Sequence, residues 1–147
     1  MTDDVLALER QVCFALAVAS RTVNAVYRPL LEPLGLTHPQ YLVMLALWDT
    51  DARSLRSLSE TLALDPGTLS PLVKRLEAEG YVSRTRDPQD ERVLRVALTA
   101  AGKALRKRAE RVPPAVVEQL GMSLAELERL RKGLDRIIDA ARTAETG

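Results

Sequence analysis

The chain has 147 residues, of which 46% are apolar, 28% charged and 3% aromatic, with a formal net charge of +1. That length can bury one core, and the balance excludes a disordered or fibrous protein. No apolar run approaches the ~20 residues that span a bilayer, and the acidic start "MTDDVLALER" is not a signal peptide, so no membrane anchor and a cytoplasmic location are expected. One cysteine excludes an internal disulfide and fits a reducing compartment.

The charge is unevenly spread. Residues 1–65 carry five basic and eight acidic side chains, residues 66–111 eleven and six, and residues 112–147 five and six. A basic middle third in a nearly neutral chain is the footprint of a surface that meets a polyanion.

From Asp4 to Leu34, Val5, Leu8, Val12, Leu16, Ala19, Val23, Val26 and Leu30 recur at helical spacing and predict one long helix, bent near Pro29. "PLGLTHPQ" breaks it. Thr37 and Gln40 then resemble a capping box opening "PQYLVMLALW", which is apolar nearly all round and so expected to be central and buried. "DTDARS" reads as a loop, and Ser57 with Glu60 as the opening of a short helix, "LSETLAL".

"LDPGTLSPLVKRLEAEGYVSR" starts with Asp65 as N-cap and Pro66 at the first helical position, and Gly80 stops it. Leu69, Leu72, Val73 and Leu76 make one face; Thr68, Pro71, Lys74, Arg75 and Ala78 make the other. Two short helices with a tight turn and a basic outer face describe a helix-turn-helix. "YVSRTR" and "VLRVALT" alternate as two strands around "DPQDER", with Arg84, Arg86, Arg92 and Arg95 on and beside the hairpin. A charged helix, "AAGKALRKRAERV", runs to Pro113 and Pro114. A last helix opens at the capping box Ser123–Glu126 and carries Leu124, Leu127, Leu130, Leu134, Ile137, Ile138 and Ala141 on one side.

The expected fold is mainly α with a small β-hairpin wing: one winged helix-turn-helix domain over residues 1–147. Residues 37–112 form the DNA-binding region, and the helices at 4–36 and 113–145 pair two copies into a homodimer. Such a dimer presents two recognition helices to a palindromic double-stranded operator, about one DNA turn (~34 Å) apart. Lys74 and Arg75 are candidates for phosphate or base-edge contacts, and Thr68 and Ser70 for shorter hydrogen bonds at the helix start. Asp65, Arg84 and Arg86 complete the candidate surface. Arg92 is the minor-groove candidate, with Asp90 placed to orient it.

The order of elements, "LDPGTLSPLVKRLEAEGYVSR" and "RDPQDERVLRVALTAAG" resemble the MarR family of bacterial transcriptional regulators, with Asp90, Arg92, Val96, Leu98, Thr99 and Gly102 matching its "DxRxxxVxLTxxG" signature. The resemblance covers almost the whole chain and implies a homodimeric winged-helix protein of a kind that mostly acts as a ligand-released repressor. "QVCFALAVASR" and "YRPLLEPLGLTHPQYLVMLALW" look most like that family's organic hydroperoxide resistance branch, of the one-cysteine type. There the matching residue, Cys13, is the redox sensor. In that branch, oxidation to a sulfenic acid, followed by capping or a disulfide, releases the operator. With no second cysteine here, the expected fate of the Cys13 sulfenic acid is capping by a small cellular thiol or over-oxidation. The branch's tyrosine on the long helix matches Tyr27.

If residues 13–27 are one helix, Cys13 and Tyr27 lie ~21 Å apart along its axis. Tyr27 cannot reach its own chain's sulfur. It can reach the partner's if two long helices pass antiparallel. Two departures matter: Ala17 stands where the branch offers a second tyrosine, and His38 where it offers a third. Tyr27 and His38 remain as donors to the sulfur, and a histidine makes reactivity depend on pH. His38 reads equally as a partial helix cap beside Pro39. Phe14, Leu16, Met44 and Trp48 are candidates for an apolar pocket favouring organic peroxides, or are plain core.

Other functions compete. A MarR-type regulator controlled by a small aromatic or phenolic ligand leaves Cys13 a bystander. A thiol peroxidase needs a resolving thiol and has no use for a winged helix. A winged helix that binds protein alone does not account for the arginines around the wing. One His and one Cys hold no metal, and no cofactor motif or catalytic triad is present. An enzyme is not expected.

Overall fold

The computed structural model describes the backbone of residues 5–146 and the side chains of residues 11–146. The helix start expected at Asp4 and the side chains of Val5 and Leu8 lie outside these residues. The chain divides into two compact units, residues 1–112 and 113–147.

In the first unit, helix α1 (Val5–Leu31) carries Pro29 in its last turn and passes into a 3-10 turn, Glu32–Leu34. Gly35 closes that turn in the left-handed region, at φ 72°. Helix α2 (His38–Asp49) opens on the expected capping box. The Thr37 hydroxyl accepts the Gln40 N–H at 3.3 Å, and the Gln40 side-chain carbonyl accepts the Thr37 N–H at 2.9 Å. It buries Tyr41, Val43, Met44 and Leu47, while Leu45 faces out. A helix with no polar face must sit inside the fold, and this one does.

The segment read as the loop "DTDARS" holds a two-residue strand, β1 (Arg53–Ser54), too short to leave an alternating pattern. Helix α3 (Leu55–Leu62) starts two residues before Ser57, the expected opening. Ser54 is its cap, accepting the Ser57 N–H at 3.0 Å, so Ser57 is the donor rather than the cap. Asp65 caps α4 (Pro66–Ala78), accepting the Thr68 N–H at 2.8 Å, and Leu69, Val73 and Leu76 turn fully inward. Gly80, at φ 87°, reverses the chain into β2 (Val82–Arg86).

Strand β2 pairs antiparallel with β3 (Leu94–Leu98) from Val82↔Leu98 to Arg86↔Leu94. On its other edge β3 takes β1, at Arg53↔Val96 and Ser54↔Arg95, so the sheet has three strands in the order β1-β3-β2. Helix α5 (Ala100–Ala109) opens at Thr99, whose hydroxyl accepts the Gly102 N–H and donates to the Gly80 carbonyl at 2.6 Å. The Trp48 indole N–H reaches the Gly102 carbonyl at 2.9 Å, tying α2 to α5.

Helix α6 (Val112–Leu120) has no counterpart in the sequence reading. Pro113 and Pro114, read as a stop, occupy its first turn, where the missing N–H costs nothing. In the second unit, α7 (Leu124–Thr146) opens on the expected box: Ser123 accepts from the Glu126 N–H at 3.1 Å, and Glu126 accepts from the Ser123 N–H at 3.2 Å. Leu124, Leu130, Ile137 and Ile138 on this helix are exposed, as are Val12, Phe14 and Leu16 on α1. No described helix is long and apolar enough to cross a membrane.

Candidate DNA-reading surface and redox site

Helices α3 and α4 and the β2–β3 hairpin enclose one concave groove. Ser54, Arg56, Ser59, Pro66, Ser70 and Lys74 line its helical wall, and Arg84, Arg86, Asp90 and Arg92 its wing wall. Six residues singled out from sequence thus share one surface: Ser70, Lys74, Arg84, Arg86, Asp90 and Arg92. Arg56, on α3, adds a cation that sequence reasoning passed over. It stands two residues after the true cap at Ser54, and its own pairing with Glu60 is solvent-exposed and weak. Placing that cap correctly would have put it on the wall.

The candidates differ in what else holds them. Lys74, Arg75 and Arg86 are exposed cations with their charge free to meet phosphate. Asp65 gives one carboxylate oxygen to the Thr68 N–H and the other to the Thr68 hydroxyl at 3.1 Å, so both residues are engaged in the cap. The hydrogen bonds from Thr68 hold the Asp65 carboxyl below the usual range. Arg84 is half-buried and bound to Glu77. Arg92 makes a bidentate pair with Asp90, Nε to Oδ1 at 3.1 Å and Nη2 to Oδ2 at 3.3 Å, and donates its backbone N–H to the same carboxylate. Those bonds from Arg92 hold the Asp90 carboxyl low, so it stays ionised while it aims the guanidinium. Arg95 braces the wing root, donating to Asp87 at 3.2 Å and to the Ala52 carbonyl at 3.1 Å.

The second constellation lies where α1 meets α2. Tyr27 and His38 stack edge to face with ring centroids 4.8 Å apart. Tyr41 joins them, 5.9 Å from Tyr27 and 6.3 Å from His38. Sequence reasoning missed Tyr41, although it lies one turn beyond His38 on the same helical side. Burial pushes the Tyr27 and Tyr41 phenols up and the His38 imidazole down. At neutral pH all three are therefore uncharged, with O–H and N–H groups to donate. His38 is the first residue of α2 rather than its cap.

Cys13 is an exposed free thiol on α1, fourteen residues before Tyr27 on the same unbroken helix, so the ~21 Å axial separation holds. Of the four residues considered for an apolar pocket, Met44 is fully buried in the core and Trp48 packs toward α5 through its indole. Phe14 and Leu16 are exposed on α1. Within one chain the four form no common wall, because α2 turns the first two inward.

The lowered His38 gives a pH signature. Its folded-state pKa lies below the usual 6.5, so its share of stability is complete above that value and is lost as pH falls below it. The urea midpoint of the native protein is expected to drop across that window more steeply than that of a His38→Gln variant, measured by fluorescence.

A helix-turn-helix whose second helix and wing line one cationic groove defines a winged-helix DNA-binding regulator. The family described as transcriptional regulator SarA/Rot matches residues 25–108. The chain is 36% identical over 136 residues to the organic hydroperoxide resistance transcriptional regulator of Bacillus subtilis, covering 92% of each. It is 42% identical over 137 residues to the HTH-type transcriptional regulator TtmR of Methylorubrum extorquens, covering 93% of this chain and 70% of that one. AbfR of Staphylococcus epidermidis, in its reduced form bound to DNA, superposes with a TM-score of 0.85 at 31% identity over 97% of this chain and 98% of that one. Overoxidised AbfR, also bound to DNA, gives 0.79 at 31% identity over 96% and 99%. The chain belongs to the MarR family of DNA-binding transcriptional regulators. Its relatives are regulators, not enzymes.

Proposed function

We propose that this regulator represses its target while Cys13 is reduced and leaves its operator when an organic hydroperoxide oxidises Cys13. The reaction is two-electron: the thiolate attacks the distal peroxide oxygen, which stays on sulfur with its hydrogen as the sulfenic acid. The O–O bond breaks, and the departing alkoxide takes up the proton that the thiol released, giving the alcohol. A small cellular thiol then condenses with it, releasing water and leaving a mixed disulfide. One observation carries this reading: the single thiol is exposed on a stretch of α1 that also exposes Val12, Phe14 and Leu16, with O–H and N–H donors gathered at the far end of the same helix.

Exposed apolar stripes of this kind call for a partner, and a second copy supplies one. The helices at 4–36 and 113–145 are the dimerisation segments, residues 37–112 the reading head, and the operator is palindromic. Antiparallel passage of two α1 helices brings Cys13 of one subunit to Tyr27 and His38 of the other, where their O–H and N–H groups stabilise the thiolate and orient the peroxide. Contacts to DNA come from Lys74, Arg75, Arg86 and Arg92, with Ser70 and Thr68 at the helix start. That overoxidised AbfR is found bound to DNA favours the bulkier thiol-capped form, over the small sulfur acids, as the releasing species.

The test is the intact mass of the protein after mild cumene hydroperoxide with and without glutathione, paired with a gel shift of the same samples on the promoter region. Loss of the shifted band in step with a glutathione adduct on Cys13 supports the proposal. An adduct on Cys13 with the complex intact contradicts it and leaves a ligand-controlled regulator.

A further inference from the structure

Arg84 lines the DNA groove, yet its charge is already taken. Glu77, on the last turn of α4, accepts from the Arg84 backbone N–H at 3.0 Å through Oε2, and from Nε at 3.1 Å and Nη2 at 3.0 Å through Oε1. The pair is only partly exposed, 26% for Arg84 and 37% for Glu77, and so escapes much of the screening that weakens surface ion pairs. It joins two elements with different tasks: α4, which presents Lys74, and β2, the near strand of the wing.

We propose that Glu77 and Arg84 are a positioning pair that sets the angle of the wing to the recognition helix, and that Arg84 serves operator specificity in this way rather than by contacting phosphate. The mechanical argument is short. Beyond Arg84 the hairpin is held as one ladder through Arg86↔Leu94, so a rotation at Arg84 is carried outward to Arg92. With ~3.3 Å per residue, a tilt of about 5° at Arg84 shifts a tip about 12 Å away by about 1 Å. A displacement of that size separates a guanidinium seated in a minor groove from one that misses it. Asp90 aims Arg92 locally, and Arg95 ties β3 to the loop before β1; Glu77 provides the tie between the wing and α4.

The proposal needs only DNA binding and is indifferent to what Cys13 does. The full-length protein is titrated by fluorescence anisotropy on a duplex it selects from a random pool and on a scrambled duplex. Glu77→Gln retains an oxygen for the Arg84 N–H and loses the charge; Glu77→Ala loses both. The ratio of selected to scrambled affinity is expected to fall about 3-fold in the first and about 10-fold in the second, with scrambled-duplex affinity within about 2-fold of wild type. Because the pair acts through the wing tip, the Glu77→Ala loss shrinks to under about 2-fold in an Arg92→Ala background. Arg84→Ala leaves the salt dependence of binding unchanged. An unchanged ratio, an equal loss on both duplexes, a full loss in the Arg92→Ala background, or a salt slope reduced by about 0.9 in Arg84→Ala would overturn it. A lower melting temperature in Glu77→Gln with the ratio intact would also overturn it, by assigning the pair to stability alone.

Discussion

A Cys13→Ser protein is expected to bind its operator within about 2-fold of wild type and to hold it through any dose of organic hydroperoxide that empties the wild-type complex. The exchange of sulfur for oxygen is small and Cys13 is exposed, so no core packing is disturbed. A serine hydroxyl is neither ionised nor oxidised under these conditions, and the whole response is lost. Tyr27→Phe tests the donors separately. It deletes one hydroxyl from the Tyr27–His38–Tyr41 cluster and keeps the ring contacts. Losing a hydrogen bond to a thiolate slows sulfenate formation by about 10-fold or more, read by the rate of labelling with a sulfenate-specific dione. Operator affinity in the reduced state stays the same.

The second large effect belongs to stability. A Cβ at Gly102 would stand 2.1 Å from the Tyr81 carbonyl oxygen, 3.1 Å from its carbon and 3.3 Å from Leu98 Cδ2. The obstacle is backbone, so no rotamer change removes it, and α5 must lift away from the base of the wing. That movement breaks the Trp48 and Thr99 bonds described above and the Thr99 N–H bond to the Tyr81 carbonyl. Overpacking plus these losses comes to about 3 kcal/mol or more, lowering the melting temperature by roughly 10 °C or more. Gly133→Ala is the control. Its Cβ meets open space on α7, and alanine's helix propensity makes that change neutral or stabilising. A Gly102→Ala protein that melts with wild type would mean that α5 does not pack on Tyr81 as described.

These results divide by how far the cause lies from the residue. Caps and their helices were legible because Thr37–Gln40, Asp65–Thr68 and Ser123–Glu126 act within one turn. Gly102 was legible as part of a signature, but its reason was not, since Tyr81 lies twenty-one positions earlier in the chain. The strand β1 escaped because two residues carry no period, and α6 because paired prolines start a helix as well as they end one. The groove's cations were legible from charge and order. That Arg84 is occupied and Arg56 present were not, as both follow from which wall a side chain joins. Tyr27 and His38 were named separately; their stacking, and the place of Tyr41 beside them, come from the packing of α2 on α1.

What remains decisive is whether sulfur and donors come from different subunits. A mixed dimer made from one Cys13→Ser subunit and one Tyr27→Phe subunit separates the cases. Shared sites predict sulfenate forming on the remaining Cys13 at the wild-type rate, because that thiol faces the intact Tyr27 across the interface. If instead that thiol reacts as slowly as in the Tyr27→Phe homodimer, each chain senses alone and the two-subunit mechanism is wrong.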